Sequence, residues 1–288
     1  ILTVTTADAS PSALYGYAIQ QPIEGFNIAD LGWGAAGAYT VTLSFWVRSS
    51  VTGTYCATLG NDTGVNQYCA TYTINSANTW EQKTITISGA TSGTFNTNNT
   101  TGISVTFGLG GGSSRTATSN NAWISPSSGY TITQASGGTN FMATNGATFY
   151  ITGVQLEVGT TATPFERRLY NQELANCQRY YYKLIGDSAG DFFATGYNQG
   201  SATAYYCMPY PVTMRTSPSA LEQTGTASDY TIASAVGNVT CNAVPVFDGS
   251  TVNSLRFSFY VASGLTAGQG SGARSNAVTS YLAVSAEL

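Results

Sequence analysis

The chain has 288 residues, which is enough for two domains; 42% of them are apolar but only 8% are charged, against about 25% in typical soluble proteins. Its net charge of −4 argues against nucleic-acid binding, which needs a basic surface. No apolar run approaches the roughly 20 residues that span a bilayer, so we expect no membrane insertion. Neutral polar residues therefore carry the solubility, which is typical of proteins that pack against copies of themselves or are exposed outside a cell.

The N-terminal part predicts antiparallel β-structure. The chain opens on the strand-like run ILTVTT, with no signal peptide and no initiator methionine. This is typical of a processed end, or of the ordered part of a longer polypeptide. Residues 7–34 predict a long connection with aromatic anchors. Residues 39–47 predict the clearest strand, because their apolar side chains alternate onto one face. These side chains are Val41, Leu43, Phe45 and Val47.

Residues 53–73 predict a hairpin around the turn-like run GNDTG. If the hairpin is symmetric about Asp62 and Thr63, Cys56 and Cys69 lie opposite each other, and a cross-strand disulfide is geometrically feasible. A pair of buried free thiols is the alternative. The remaining cysteines are Cys177, Cys207 and Cys241. Because the total is odd, at least one thiol is free or forms an intermolecular bond.

Residues 79–88 and 102–109 alternate in the same way and predict two further strands. The Gly-, Ser- and Asn-rich stretch 110–146 predicts loops interrupted by short strands, because aromatic and aliphatic residues punctuate it. The glycine run GLGGG at 108–112 resembles a nucleotide-binding loop only in composition. No Lys-Ser or Lys-Thr pair and no helical pattern follow it, so it does not predict a phosphate site.

The segment 149–186 joins the two halves of the chain. It begins as a strand, in which Gly153 favours a bulge. It ends as a predicted helix from Asn171 to Leu184, with Asn171 as its N-cap. The helical stripe consists of Leu174, Cys177, Tyr181 and Leu184.

The remainder again predicts β-structure, with a glycine-rich surface loop at 263–279. The predicted strands are 191–197, 202–209, 230–232, 240–247, 254–261 and 280–286. The sequence therefore predicts an all-β protein of two consecutive antiparallel, jelly-roll-like β-sandwich domains, 1–166 and 187–288, joined by one short α-helix within 167–186.

The sequence contains few residues of the types that usually carry out catalysis. It has no histidine, which removes the usual base of Ser and Cys nucleophiles and the commonest transition-metal ligand. Lys83 lies in a predicted strand, where we interpret it as a solvated residue. Paired carboxylates of a glycosidase are the remaining option. The candidate pairs are Asp187 with Asp191, Glu157 with Glu166, and Asp229 with Asp248. Turn capping for the first pair, and an ion-pair cluster with Arg167 and Arg168 for the second, are simpler interpretations. We expect no enzyme, no cofactor and no metal.

Aromatic side chains are the stronger binding signal, because Tyr and Trp are rigid and can stack on sugar rings. Trp123 and Tyr130 lie in the polar stretch beside Asn120 and Asn121. We predict these four residues as sugar contacts. Buried anchors of the loop are the alternative interpretation for the two rings.

One long segment carries a family resemblance. The string ITGVQLEVGTTATPFERRLYNQELANCQRYYYK, at 151–183, resembles a segment of bacteriophage virion proteins, chiefly tail fibres and related appendages. In those proteins a jelly-roll domain ends in a GVQLE strand and continues through a PFE-R corner to a CQRYY helix. LSFWVRSSVTGTY at 43–55 and NTWEQKTITI at 78–87 resemble earlier strands of the same domain.

The resemblance implies a structural protein of the virion, located in a tail fibre or another external appendage. It implies a homo-oligomer, usually a trimer, that contacts other virion proteins and the surface polysaccharide of the host. We predict that the helix and its tyrosines contribute to the subunit interface. The residues concerned are Leu174, Cys177, Tyr181 and Tyr182. A capsid decoration protein or head fibre without a receptor role, and a polysaccharide-degrading tailspike, are the alternatives.

Overall fold

The computed structural model describes residues 1–126 and 129–288. The chain divides into two compact units: unit 1 is Ile1–Arg167 together with Leu288, and unit 2 is Arg168–Glu287. The described residues are mostly β-strand, with one α-helix among them, which confirms the predicted all-β class. Of the segment predicted as a linking helix, 167–186, Arg167 belongs to unit 1 and the remaining residues belong to unit 2.

Unit 1 is a sandwich of two antiparallel sheets. The four-stranded sheet has the order β1-β9-β3-β6, and the five-stranded sheet has the order β2-β7-β4-β5-β8. The strands are β1 Leu2–Thr3, β2 Gly16–Glu24, β3 Val41–Ser49, β4 Gly53–Asn61, β5 Gln67–Ile74, β6 Glu81–Ile87, β7 Thr101–Gly111, β8 Trp123–Ile124 and β9 Thr148–Val158.

The core of unit 1 lies between its two sheets, and β3 supplies its centre. The four apolar side chains predicted to alternate onto one face of β3 are all fully buried. Phe45 makes edge-to-face contacts with Tyr72 of β5 and Phe107 of β7, at ring-centroid distances of 5.1 and 5.0 Å. Edge-to-face contacts add to the stability that aromatic rings provide by hydrophobic burial. Phe45 therefore stabilises the packing of the two sheets against each other.

A loop that includes Ala117, Ile132 and Ala135 packs on the outer face of the five-stranded sheet, and the glycine run allows its close approach. Thr133 Oγ1 donates to the carbonyl of Gly110 at 2.9 Å, and Gly111 N donates to Gln134 Oε1 at 2.8 Å. A Cβ at Gly108 would overlap the carbonyl oxygen of Thr133. The glycines are therefore needed for close approach of two backbones, which is the usual reason for glycine inside a strand.

One of two local predictions about unit 1 needs correction, and the other is confirmed. The connection predicted over residues 7–34 contains β2, which pairs with β7 along nine residues. Its Pro22 is tolerated because β2 is an edge strand. The predicted bulge at Gly153 is confirmed, since this residue has φ of 58° at the register shift between β9 and β3.

The hairpin register also differs from the prediction. Cys56 pairs with Thr71, and Cys69 pairs with Thr58, so the two cysteines are diagonal neighbours. The shift in register arises at the turn, where Asn61 N donates to Asn66 O at 3.0 Å. The centre of the hairpin therefore lies one residue closer to the C-terminus than predicted. Both cysteines are buried free thiols. The hydrogen bond with the thiol of Cys69, and then burial, place the pKa of Cys56 well above its usual value.

Lys83 is not solvated as predicted, because it forms a largely buried ion pair on β6. Its Nζ lies 2.6 Å from Oε2 of Glu81, and both side chains are only 14% exposed. The carboxylate of Glu81 also accepts hydrogen bonds from the backbone N–H groups of Asn75 and Ser76. Lys83 first, and then these N–H groups, lower the pKa of Glu81 to about 2.

We expect Glu81→Gln to reduce stability at pH 7 by about 1 kcal/mol, since solvent screens a pair that still reaches water. An unfolded Glu titrates near pH ~4.3, so the stabilisation is complete above that pH and is lost as the pH falls toward 2. Urea denaturation of wild type and variant between pH 7 and pH 2.5 checks this. A difference in unfolding free energy that stays constant with pH would contradict the assignment.

Unit 2 is a second antiparallel sandwich. Its sheets have the orders β15-β14-β18-β11-β12-β17-β16 and β10-β19-β13. Its elements are α1 Tyr170–Gln178, β10 Tyr181–Ile185, β11 Phe192–Asn198, β12 Thr203–Pro209, β13 Glu222–Gln223, β14 Tyr230–Ser234, β15 Gly237–Thr240, β16 Ala243–Ser250, β17 Ser254–Tyr260, β18 Gly270–Ser275 and β19 Tyr281–Ser285. Buried aromatic rings of Tyr206, Tyr230, Phe257 and Phe259 form the centre of its core.

Two predictions about unit 2 were wrong. The helix predicted over 171–184 ends at Gln178, and Tyr181–Ile185 forms a strand that pairs with β19. Consecutive tyrosines favour strands, and the pairing with β19 outweighs the helical spacing. The loop predicted over 263–279 contains β18, which lies between β14 and β11. Its sequence, GSGARS, has little strand propensity, so its neighbours determine its conformation.

Candidate binding surfaces

Trp123, the first predicted sugar contact, is a structural anchor. Its ring makes edge-to-face contacts with Trp33, Tyr68 and Phe95, at centroid distances of 5.3, 5.6 and 5.9 Å. Its Nε1 donates to the carbonyl of Ser88 at 2.8 Å. The arrangement matches the alternative interpretation, a loop anchor packed against the sandwich.

The two predicted asparagines hold the covering loop in place. Asn120 Oδ1 accepts from Ser136 N at 2.9 Å, and Asn121 Oδ1 accepts from Thr71 N at 2.9 Å. Tyr130 is 38% exposed, and the guanidinium of Arg115 lies 4.5 Å from its ring centroid. Each of the four predicted side chains thus makes a contact within the protein.

Three of the acidic residues proposed as pairs, Asp191, Asp229 and Glu157, make local structural hydrogen bonds. Asp191 accepts from N and Oγ of Ser188 at 2.8 and 2.9 Å, which is the predicted turn capping and lowers its pKa. Asp229 accepts from Thr224 Oγ1 at 2.7 Å. The carboxylate of Glu157, predicted as part of an ion-pair cluster, accepts hydrogen bonds from Thr163.

That contact belongs to a latch between β9 and the PFE corner, which consists of Gln155, Glu157, Thr163 and Glu166. Glu157 accepts from N and Oγ1 of Thr163 at 2.9 and 2.7 Å. Gln155 Oε1 accepts from Glu166 N at 2.8 Å, and Gln155 Nε2 donates to Glu157 Oε1 at 3.0 Å. Hydrogen bonds from Thr163 lower the pKa of Glu157. The GVQLE and PFE motifs are therefore two halves of one hydrogen-bonded corner.

We expect Glu157→Ala to open the corner while leaving both sandwiches folded. The measurable result is faster proteolytic cleavage between residues 159 and 168, with an unchanged circular-dichroism spectrum. Glu173→Ala is the matched control, since the carboxylate of Glu173 forms an exposed ion pair with Arg168, at 3.5 Å. Equal cleavage rates for the two variants would show that the latch does not hold the corner.

The outer face of the four-stranded sheet in unit 1 carries exposed aromatic rings. Trp46 and Trp80 are 43% and 42% exposed. Trp80 makes an edge-to-face contact with Tyr150 at 6.1 Å, and the guanidinium of Arg48 lies 5.0 Å from the ring centroid of Tyr150. We call these four residues the aromatic platform. Arg48 is the charged residue of the platform, and its guanidinium lies over the ring of Tyr150.

A groove on the outer face of the seven-stranded sheet in unit 2 combines aromatic and charged groups. Its volume is about 310 Å³. Tyr197 and Tyr205 are direct partners across β11 and β12, with ring centroids 6.1 Å apart. Cys207 and Arg256 are direct partners across β12 and β17, and both are exposed. The groove is lined by Thr195, Gly196, Tyr197, Tyr205, Tyr206, Cys207, Asp248 and Arg256.

Asp248 lies at the rim of the groove because of a β-bulge. Phe247 pairs with Phe257, and Gly249 pairs with Arg256, so Asp248 is the extra residue on β16. Gly249 has φ of 145°, a backbone conformation that favours glycine. Bulges commonly redirect a side chain next to a functional site. Arg256 Nη2 donates to the backbone carbonyl of Asp248 at 3.1 Å, whereas Oδ2 of Asp248 is buried without a hydrogen-bond partner.

Part of this groove could have been predicted from the sequence. The alternation in TAYYCMP places Tyr205 and Cys207 on the face opposite the buried Tyr206. The bulge that brings Asp248 beside them has no comparable pattern, because it depends on the register between β16 and β17. The sequence analysis predicted Asp248 only as the partner of Asp229 in a candidate carboxylate pair.

The predicted interface residues fall into two groups. Leu174 and Cys177 are exposed on α1, which has no buried residue. Tyr181 and Tyr182 lie instead on β10. The hydroxyl of Tyr181 donates to Glu222 at 3.0 Å, and Tyr182 packs on the core of unit 2.

Within residues 1–126 and 129–288, no three His, Cys, Asp or Glu side chains come together in a way that could hold a metal ion. The same residues include no helix with the length and hydrophobicity needed to cross a bilayer.

No family model and no curated protein matches the chain. Among solved structures it is similar to the PBSX exported protein XepA, with an alignment that covers 97% of this chain and 84% of that one. The sequence identity is 11% and the TM-score is 0.19. A similarity of this size supports no argument about fold or function.

Proposed function

We propose that the chain is a structural protein of a bacteriophage virion, part of a tail fibre or fibre-like appendage, and that it contributes to recognition of host-surface glycan. The observation that carries the proposal is the resemblance of residues 151–183 to appendage proteins. The latch of Gln155 and Glu157 gives this segment a physical role, since it fixes the direction in which the chain leaves the first sandwich.

Binding without turnover is the activity that suits the described residues. The chain has no histidine, and Asp191, Asp229 and Glu157 are each engaged in local hydrogen bonds. Both sandwiches present aromatic side chains on an outer sheet face. Rigid amphipathic rings provide contact area at low entropic cost.

We propose further that the protein assembles as a homo-oligomer, in keeping with the trimers usual for such appendages. Leu169, Tyr170 and Leu174 are 78%, 76% and 39% exposed at the start of unit 2. Apolar exposure of this kind is typical of an interface. Mass photometry of wild type and Leu174→Glu tests the idea: a stable oligomer that dissociates in the variant supports it, and a wild-type monomer refutes it.

Labelling of purified phage particles with an antibody against the chain, imaged by electron microscopy, tests the proposed function. Label on a tail appendage is the expected result. Label confined to the head would favour the capsid decoration protein, and particles without the protein would overturn the assignment to the virion.

A further inference from the structure

We propose that the groove in unit 2 binds one neutral sugar ring of the host-surface glycan. The inference rests on the proposed function and specifies its site. The groove combines an aromatic pair, an unpaired acid, balanced charges and a small volume.

The aromatic pair supplies the surface on which a sugar ring can lie. Tyr197 is 51% exposed, and its ring stands edge-on to that of Tyr205. On the adjacent strand β18, the partner of Tyr197 is Gly270, which has no side chain to fill the space beside the ring. The apolar C–H face of a pyranose can pack against such a ring, while its hydroxyl groups remain directed to polar partners.

Asp248 supplies the polar partner. A carboxylate is an acceptor for up to four hydrogen bonds, and a sugar offers several hydroxyl donors. A buried polar atom without a partner is uncommon and destabilising, and Oδ2 of Asp248 is such an atom. The terminal torsion of an Asp side chain is soft, so a small rotation turns this oxygen toward a hydroxyl in the groove.

The groove carries no net charge that would favour a charged ligand. Asp248 and Arg256 are its two charged lining residues, and their formal charges cancel. A charged sugar would be attracted by one of these groups and repelled by the other. A neutral ring meets no such repulsion, and Arg256 can donate to its oxygens.

The size of the groove limits how much of a glycan it holds. About 310 Å³ lies at the lower end of the range of ~300–1,000 Å³ that is usual for ligand sites. The groove is therefore suited to one ring of the glycan, with the rest of the chain outside it.

The experiment uses the full chain and two probes. The first probe is surface polysaccharide purified from the cells in which the phage propagates, immobilised to measure retention of wild type, Tyr205→Ala, Asp248→Asn and the control Trp80→Ala. The second is a set of free sugars, the neutral glucose, galactose and mannose and the charged glucuronate and glucosamine, used to protect Cys207 from alkylation. Cys207 lines the groove, and the exposed Cys177 on α1 provides an internal reference.

We expect Tyr205→Ala and Asp248→Asn each to weaken retention about tenfold or more, as for loss of a stacked ring or a charged hydrogen bond. Trp80→Ala, on the aromatic platform, should change it less than about twofold. A neutral sugar should slow alkylation of Cys207 but not of Cys177, and the charged sugars should have no such effect. Asp248→Asn preserves side-chain volume, so its loss of retention is separable from misfolding, which circular dichroism also checks.

The outcomes separate the two proposals. Wild type that does not bind the polysaccharide refutes the receptor role itself. Wild type that binds, with Trp80→Ala impaired and the groove variants intact, refutes the site and moves it to the aromatic platform. Protection of Cys207 by a charged sugar in preference to every neutral one refutes the ligand class.

Discussion

Replacing Phe45 with alanine is expected to lower the free energy of unfolding of unit 1 by about 3–5 kcal/mol. Phe45 is fully buried on β3 and contacts both Tyr72 and Phe107 of the opposite sheet. Truncation leaves a cavity between the sheets and removes both edge-to-face contacts, and the flanking strands cannot collapse to fill it without disturbing their pairing. Urea denaturation of the purified chain measures the change.

The matched control for Phe45 is Phe26→Ala. Phe26 is 59% exposed, so the same truncation there should alter stability by less than about 0.5 kcal/mol. Equal losses for the two variants would mean that the two sheets do not share the core described for unit 1.

The substitution Gly108→Ala is expected to destabilise unit 1 by about 3 kcal/mol. The added Cβ would overlap the carbonyl oxygen of Thr133 and lie 2.6 Å from the sulfur of Cys56. Because Thr133 belongs to the covering loop, the loop must lift or the strand must bend. Alkylation of Cys56 in the native protein should therefore accelerate, and urea denaturation should report the lower stability.

Gly200→Ala is the control for Gly108→Ala. A Cβ at Gly200 meets no atom within 4 Å, so stability should remain within about 0.5 kcal/mol of wild type. If Gly108→Ala were as stable as this control, the glycine run would not be required for the loop to cover the sheet.

The sequence correctly predicted those strands whose own alternation of apolar and polar residues determines their conformation. β3 alternates apolar and polar residues, and all four predicted core side chains are buried. β18 was missed, because a strand between two neighbours can consist of glycine, serine and alanine when the partners supply the pairing. The predicted helix was too long for the same reason, since β10 is stabilised by β19, about 100 residues later in the chain.

The candidate site was harder to predict than the fold. Trp123 was chosen because it lies in a polar loop, but its ring packs on three other aromatics. Tyr197 and Tyr205 lie in regular strands, where alternation alone does not show which residues on the outer face gather around a concavity. Asp248 joins them through a bulge. Loop position alone therefore did not distinguish an exposed ring from a packed one.

We propose that this chain binds a surface polysaccharide and does not cleave it. The most direct test follows bound protein and newly formed reducing ends in one incubation of the purified chain with polysaccharide from the phage's host cells. We predict that the protein stays bound while the number of reducing ends does not rise above the protein-free control over many hours. A steady rise in reducing ends, abolished when Asp248 or another acid is neutralised, would contradict the account and make the protein a hydrolase.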